Sequence, residues 1–117
     1  MQFLLTCCFN ESQWAAIPAG ERDRLMAEYG RWVGDLNEKG TLLSGAKLDA
    51  CASAVCVRRR TGQPLLVDGP FAETKEQVGG YHVLECKDRD EAVAHALRIP
   101  TLAAGGVVEV RPLLFAE

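Results

Sequence analysis

Long apolar runs are missing from this chain of 117 residues. No window approaches the roughly 18 apolar residues that a bilayer-spanning helix needs, so a membrane partner is not expected. The opening "MQFLLTCCF" is apolar but short. It lacks a basic start and a small-residue cleavage site, and it reads as a first strand of a cytoplasmic protein. Basic charge is also scarce. Thirteen Lys and Arg face sixteen Asp and Glu, for a net charge of −3. Such a balance gives no general attraction to phosphate backbones, and nucleic acid is not an expected partner. The one basic cluster, Arg58-Arg59-Arg60, reads as a solvated run guarding a strand end. Cysteine is present five times, an odd number, with no C-x-x-C pair. Cys7 and Cys8 are strand neighbours pointing to opposite faces. Cys51 and Cys56 would lie about 16 Å apart at roughly 3.3 Å per residue. Free thiols in a reducing compartment are the expectation. There is no phosphate loop, zinc spacing or nucleophile elbow, so neither a metal nor a nucleotide cofactor is expected.

What is there is the material of one domain with one core: 48% hydrophobic and 25% charged residues. Residues 2 to 9 suit a buried strand, followed by a short segment holding Trp14 and Pro18. From Glu21 to Lys39 the period becomes helical. Leu25, Met26, Tyr29, Trp32, Val33 and Leu36 form a stripe, and Gly40 closes it. Gly30 and Gly34 on that helix are expected to let a neighbouring strand come close. "TLLSGAKL", "ASAVCVRRR" and "PLLV" read as strands, the last two joined by a turn at "RTGQ". "GYHVLEC" is a further strand. Asp88-x-x-Glu91 is a capping box opening a short helix that Pro100 prevents from running on. "VVEVRPLLF" is the last strand, with Pro112 marking an edge or a late position.

The order is α+β: a ferredoxin-like βαββαβ with a hairpin extension, two helices on one face of an antiparallel sheet. Two helices shelter one face, yet "FLLTCCF", "AVCV" and "VVEV" carry apolar side chains on both. The uncovered face calls for a second copy, a homodimer joined through the sheet.

The stretch "VDGPFAETKEQVGGY" holds the candidate chemistry. Pro70 fixes a turn and Gly69 before it is the least constrained choice. As a structural loop, Asp68 accepts backbone N–H groups and Phe71 plugs an apolar gap. As a site, Asp68, Glu73 and Lys75 rim a pocket floored by Phe71, with Asp68 as acid, base or polar anchor. Tyr81 and His82 follow on the next strand, and His82 could face Asp68 as an acid–base partner. His95 is expected to be solvated, and Trp14 and Trp32 to fill core.

The run from Asp68 to Glu76 resembles the DGPF-motif branch of the YCII-related family. So do "Gly79-Gly80-Tyr81", "Lys87-Asp88-x-Asp90-Glu91-Ala92", "Arg98-Ile99-Pro100" and "Val108-Glu109-Val110-Arg111-Pro112". The amino-terminal half agrees through "Met26-Ala27-Glu28-Tyr29" and "Gly40-Thr41-Leu42-Leu43". The resemblance covers the whole chain. It implies a dimeric α+β barrel and little about chemistry. Some members of the wider superfamily carry a His–Asp pair with the His in the first long helix; no histidine stands there in this chain. Two functional expectations follow. One is a site that binds or transforms a small organic molecule, with Asp68 and His82 catalytic and Gly69, Pro70, Phe71, Glu73, Lys75 and Tyr81 around the ligand. The other is a regulatory module working with a sigma factor of the extracytoplasmic type, a setting common for this branch.

Overall fold

The computed structural model describes residues 1–115. Its strand β1 (Gln2–Phe9) alternates half-buried and buried positions, with Phe3, Leu5 and Cys7 pointing into the core. A short helix α1 (Glu11–Ala16) follows, where the sequence suggested only a connecting segment. Asn10 accounts for it: its side chain accepts the Gln13 amide at 3.0 Å and caps the first turn. Helix α2 (Ala19–Glu38) then buries Leu25, Trp32 and Leu36. Gly40, at φ +71°, lets the chain reverse so that the Thr41 amide donates to the Leu36 carbonyl at 3.0 Å. Gly30 and Gly34 have open space where side chains would stand. Contrary to the reading of the sequence, they mark no close approach.

Strand β2 (Leu42–Lys47), β5 (Gln77–Glu85) and β6 (Val107–Pro112) complete a four-stranded antiparallel sheet in the order β2-β5-β1-β6. Pro112 falls on the edge strand, where its missing N–H costs no ladder bond. Among the described residues, strands β3 (Val55–Arg60) and β4 (Gln63–Asp68) pair only with each other. They are the hairpin extension between the second and third strands of a ferredoxin-like α+β fold. The arm is pinched at its base by the Gly69 amide donating to the Ala54 carbonyl at 2.7 Å.

Helix α3 (Arg89–Ala96) opens on its capping box. Asp88 accepts the Glu91 amide at 2.9 Å, and Glu91 reaches back to the Lys87 amide at 2.6 Å. Its Ala92 and Ala96, with Trp32 and Leu36 of α2, close over Phe3, Leu5 and Leu84 of the sheet. The small alanines let α3 lie low, and Ile99 fills the gap beyond its end. Trp32 anchors the two helices by donating Nε1–H to the His95 carbonyl at 3.0 Å. The His95 side chain is only 15% exposed and lies 3.8 Å from Glu91, so it is packed rather than solvated as expected. On the face away from the helices stand Leu4, Thr6, Tyr81 and Val83, half-buried, and the exposed Val107. The shortest dimension of the molecule is 19 Å, which is room for two layers and no third.

Candidate functional site

A cavity of about 460 Å³ opens between α2 and the β2–β5 side of the sheet. Helix α2 supplies Met26, Tyr29, Val33 and Asn37, which share one face through spacings of three and four. Phe9 and Trp14 form one wall, edge to face at 6.1 Å between ring centroids. Leu42 and Leu43 form another. The sheet contributes His82, Cys7, Gly45, Lys47, Gly79 and Gly80.

Backbone register explains why space remains. His82 stands opposite Gly45 on β2 and Leu5 on β1, all on the helix side. A Cβ on Gly45 would lie 2.6 Å from His82 Nδ1, so the imidazole rests where a side chain would be. Register slips by one residue between Cys7 and Cys8 against β5, a bulge at the paired glycines. There a Cβ on Gly79 would meet the Phe9 ring at 1.9 Å. Two rings therefore lie down on bare backbone, and the volume above them is left free.

Polar groups converge at the inner end. Tyr29 Oη and His82 Nε2 are 2.5 Å apart, and Tyr29 Oη is 3.3 Å from Cys7 Sγ. His82 is 7% exposed, and its Nδ1 is buried without a partner among the described residues. Trp32 packs edge-on against the imidazole at 4.9 Å. Burial pushes the His82 pKa below its ordinary 6.5, so the ring is neutral at pH 7. Burial, aided by the bond to Cys7, pushes the Tyr29 phenol far above its ordinary 10.0, so it keeps its hydrogen. Burial likewise raises the Cys7 thiol, which makes it an unreactive neighbour rather than a nucleophile. Two neutral arrangements share the short bond. In one, Tyr29 donates to Nε2. In the other, Nε2–H donates to Tyr29 and the phenol hydrogen turns to Cys7 or to a guest.

His82, expected from the sequence as a site residue, lies in this cavity. Asp68 does not face it. Asp68, Gly69, Pro70, Glu73 and Lys75 line a separate, broader and more open depression of about 690 Å³ with Asn10, Glu11 and Cys51. Phe71, expected as a floor, is 80% exposed with the Arg58 guanidinium 5.2 Å over its ring. The motif's turn is held by backbone instead: Gly69 adopts φ +103°, and its carbonyl accepts from Cys56 Sγ. Gln77 ties the loop by donating to the carbonyls of Ala72 and Thr74. Tyr81, next to His82 on the strand, faces the other side of the sheet. Trp32 fills core as expected, while Trp14 is a cavity wall. Tyr29, Gly45 and Lys47 were not singled out by the sequence. Tyr29 alone left a signal, being the one member of the α2 apolar stripe that carries an acidic hydrogen.

Residues 1–115 match the model of the YCII-related domain. An uncharacterised protein of Rhizobium meliloti (strain 1021) is 33% identical over 114 residues, covering 97% of this chain and 92% of that protein. Among solved structures, the fold is shared with 5-chloro-2-hydroxyhydroquinone dehydrochlorinase (TftG) from Burkholderia phenoliruptrix AC1100, in complex with 2,5-dihydroxybenzoquinone. The TM-score is 0.61 at 15% identity, covering 99% of this chain and 96% of that one.

Proposed function

The chain belongs to the YCII-related family, and from that premise we propose that it binds a small organic molecule in the Tyr29–His82 cavity and exchanges a proton with it. The observation that carries this is the 2.5 Å contact between a phenol held protonated and an imidazole held neutral, at the inner end of an apolar cavity. A guest with an acidic O–H, or a C–H beside a carbonyl, gives its proton to Tyr29 Oη. In the same movement Tyr29 passes its own proton to His82 Nε2. Guest anion and imidazolium form together and neutralise each other. Return of the proton to a different atom of the guest leaves an isomer, with the pair restored. No second reactant is needed. The dehydrochlorinase that shares the fold is in complex with 2,5-dihydroxybenzoquinone, a compact oxygenated ring, which is the class of guest this reading requires.

The expected experiment uses 2-indanone in D₂O. The protein should speed deuterium entry beside the carbonyl, and Tyr29→Phe should lower that rate about 100-fold or more. Equal rates in the two proteins would sink the proton transfer. We further propose a homodimer joined through the sheet face bearing Leu4, Tyr81 and Val83, which the helices leave uncovered.

A further inference from the structure

The cavity has one feature its apolar walls do not explain. Lys47 lines it and, among the described residues, no Asp or Glu does. Among the described residues Lys47 forms no ion pair, although the protein carries more carboxylates than cations. The position is set by register. Lys47 pairs with Gly80 and lies two residues beyond Gly45, which pairs with His82. Alternate residues share a face, so the Lys47 side chain leaves β2 on the side where the imidazole lies. At roughly 3.3 Å per residue, its Cα is about 7 Å along the strand from the Gly45 socket. Gly80 beside it has no side chain to fill the intervening gap. Phe9 and Trp14 line the same cavity.

We infer that the guest of this cavity is a monocyclic aromatic or alicyclic carboxylate, its carboxylate held by Lys47 and its ring directed toward Tyr29 and His82. The inference rests on the cavity being the binding site and adds the charge and orientation of what enters it. Lys47 is exposed at the edge of the cavity, so water partly screens the pair, and its contribution is that of a surface ion pair beside an apolar wall. The carboxylate also fixes which end of the ring meets the phenol. That is what a site needs if it is to move a proton between two chosen atoms.

The test is an NMR titration of the full chain with benzoate and with benzamide, which match in shape and differ in charge. Benzoate is expected to bind about threefold or more tightly than benzamide, the size of a partly screened ion pair. Both should shift the resonances of Gly45 and His82. Lys47→Met should abolish the preference by weakening benzoate more than benzamide, and Lys47→Arg should retain most of it. Equal binding of the two probes to the native chain, or a preference untouched in Lys47→Met, overturns the carboxylate and leaves the cavity reading in place. If neither probe perturbs Gly45 or His82, the cavity reading falls with it.

Discussion

The Tyr29 hydroxyl and the His82 imidazole partner each other away from bulk water, and Tyr29 also has Cys7 beside it, so removing the hydroxyl strands the imidazole but not the reverse. Tyr29→Phe keeps the ring that packs edge-on against Trp32 at 5.7 Å and deletes only the oxygen. His82, whose Nδ1 already lacks a partner, then has none at either nitrogen. Urea unfolding should show a loss of about 1–3 kcal/mol, the cost of an unsatisfied buried polar group. Acid tests the same residue from another side. Because folding lowers the His82 pKa, the unfolded chain binds the proton more readily between the two values. Stability therefore falls as pH drops below the unfolded value near 6.5, and levels off once the folded pKa is passed. His82→Asn should flatten that part of a melting-temperature profile; an unchanged slope would place its origin elsewhere. Legibility was uneven at this scale. His82 stood out because histidine is rare in the chain and this one follows two glycines. Tyr29 was absorbed into a helical stripe, since a phenol at core spacing looks like any other large ring until its neighbour across the cavity is known. Asp68 drew notice through its motif, but a motif fixes a turn without fixing which concavity the turn borders.

Among the elements, β2 and β5 matter most because their glycines decide what the sheet can hold. Gly45→Ala puts a methyl 2.6 Å from His82 Nδ1 and 2.9 Å from the Tyr81 carbonyl. Only the ring can move, and the move breaks its bond to Tyr29. A loss of about 1–3 kcal/mol is expected from the overpacking, together with a displaced His82 ring resonance. A stable variant with an unshifted ring would contradict this packing. The hairpin β3–β4 is the opposite kind of element. Its base is closed by a single backbone bond, and Val55, Val57 and Leu66 stand more than half exposed along it. Replacing residues 55–68 with a short Gly/Ser loop should leave the circular dichroism and chemical shifts of the four-stranded sheet intact, since no strand of that sheet pairs with the arm. Order and type of these elements were readable from period and punctuation, and the capping box at Asp88 located α3 closely. The bulge was suggested by Gly79-Gly80, yet its effect on Phe9 was not, because the two residues are seventy positions apart and meet only across paired strands. Helix α1 escaped notice for a related reason: six residues give too short a stretch for periodicity to register.

The whole molecule is extended for its length. Its radius of gyration is 16.1 Å, where about 13 Å is usual for a compact chain of this size. A thin slab with a projecting arm accounts for the excess. Both features expose apolar area that a second copy would cover. Sedimentation at micromolar concentration should therefore report a particle of twice the 12.7 kDa chain mass. Introducing a charge on the uncovered sheet face, as in Val83→Glu, should split it into single chains by placing like charges opposite one another at a symmetric interface. A native chain that stays at the single mass would remove the dimer. The two-layer plan was legible because helix count and strand count are set by pattern. A hairpin extension was legible too, but that the "AVCV" strand leaves the sheet with it was not, since alternation in β3 and β4 looks the same whether a strand joins a sheet or leaves it.

The sockets at Gly45 and Gly79 also constrain how such a protein could change its taste in molecules. The lower boundary of the chamber is two rings laid on main chain, which can gain no atom without dislodging a ring. The ceiling is Met26, Val33 and Asn37, ordinary side chains on one stripe of a helix. Adaptation to new shapes of guest would then be written in the helix and to new charges at Lys47, around two sockets that tolerate no edits.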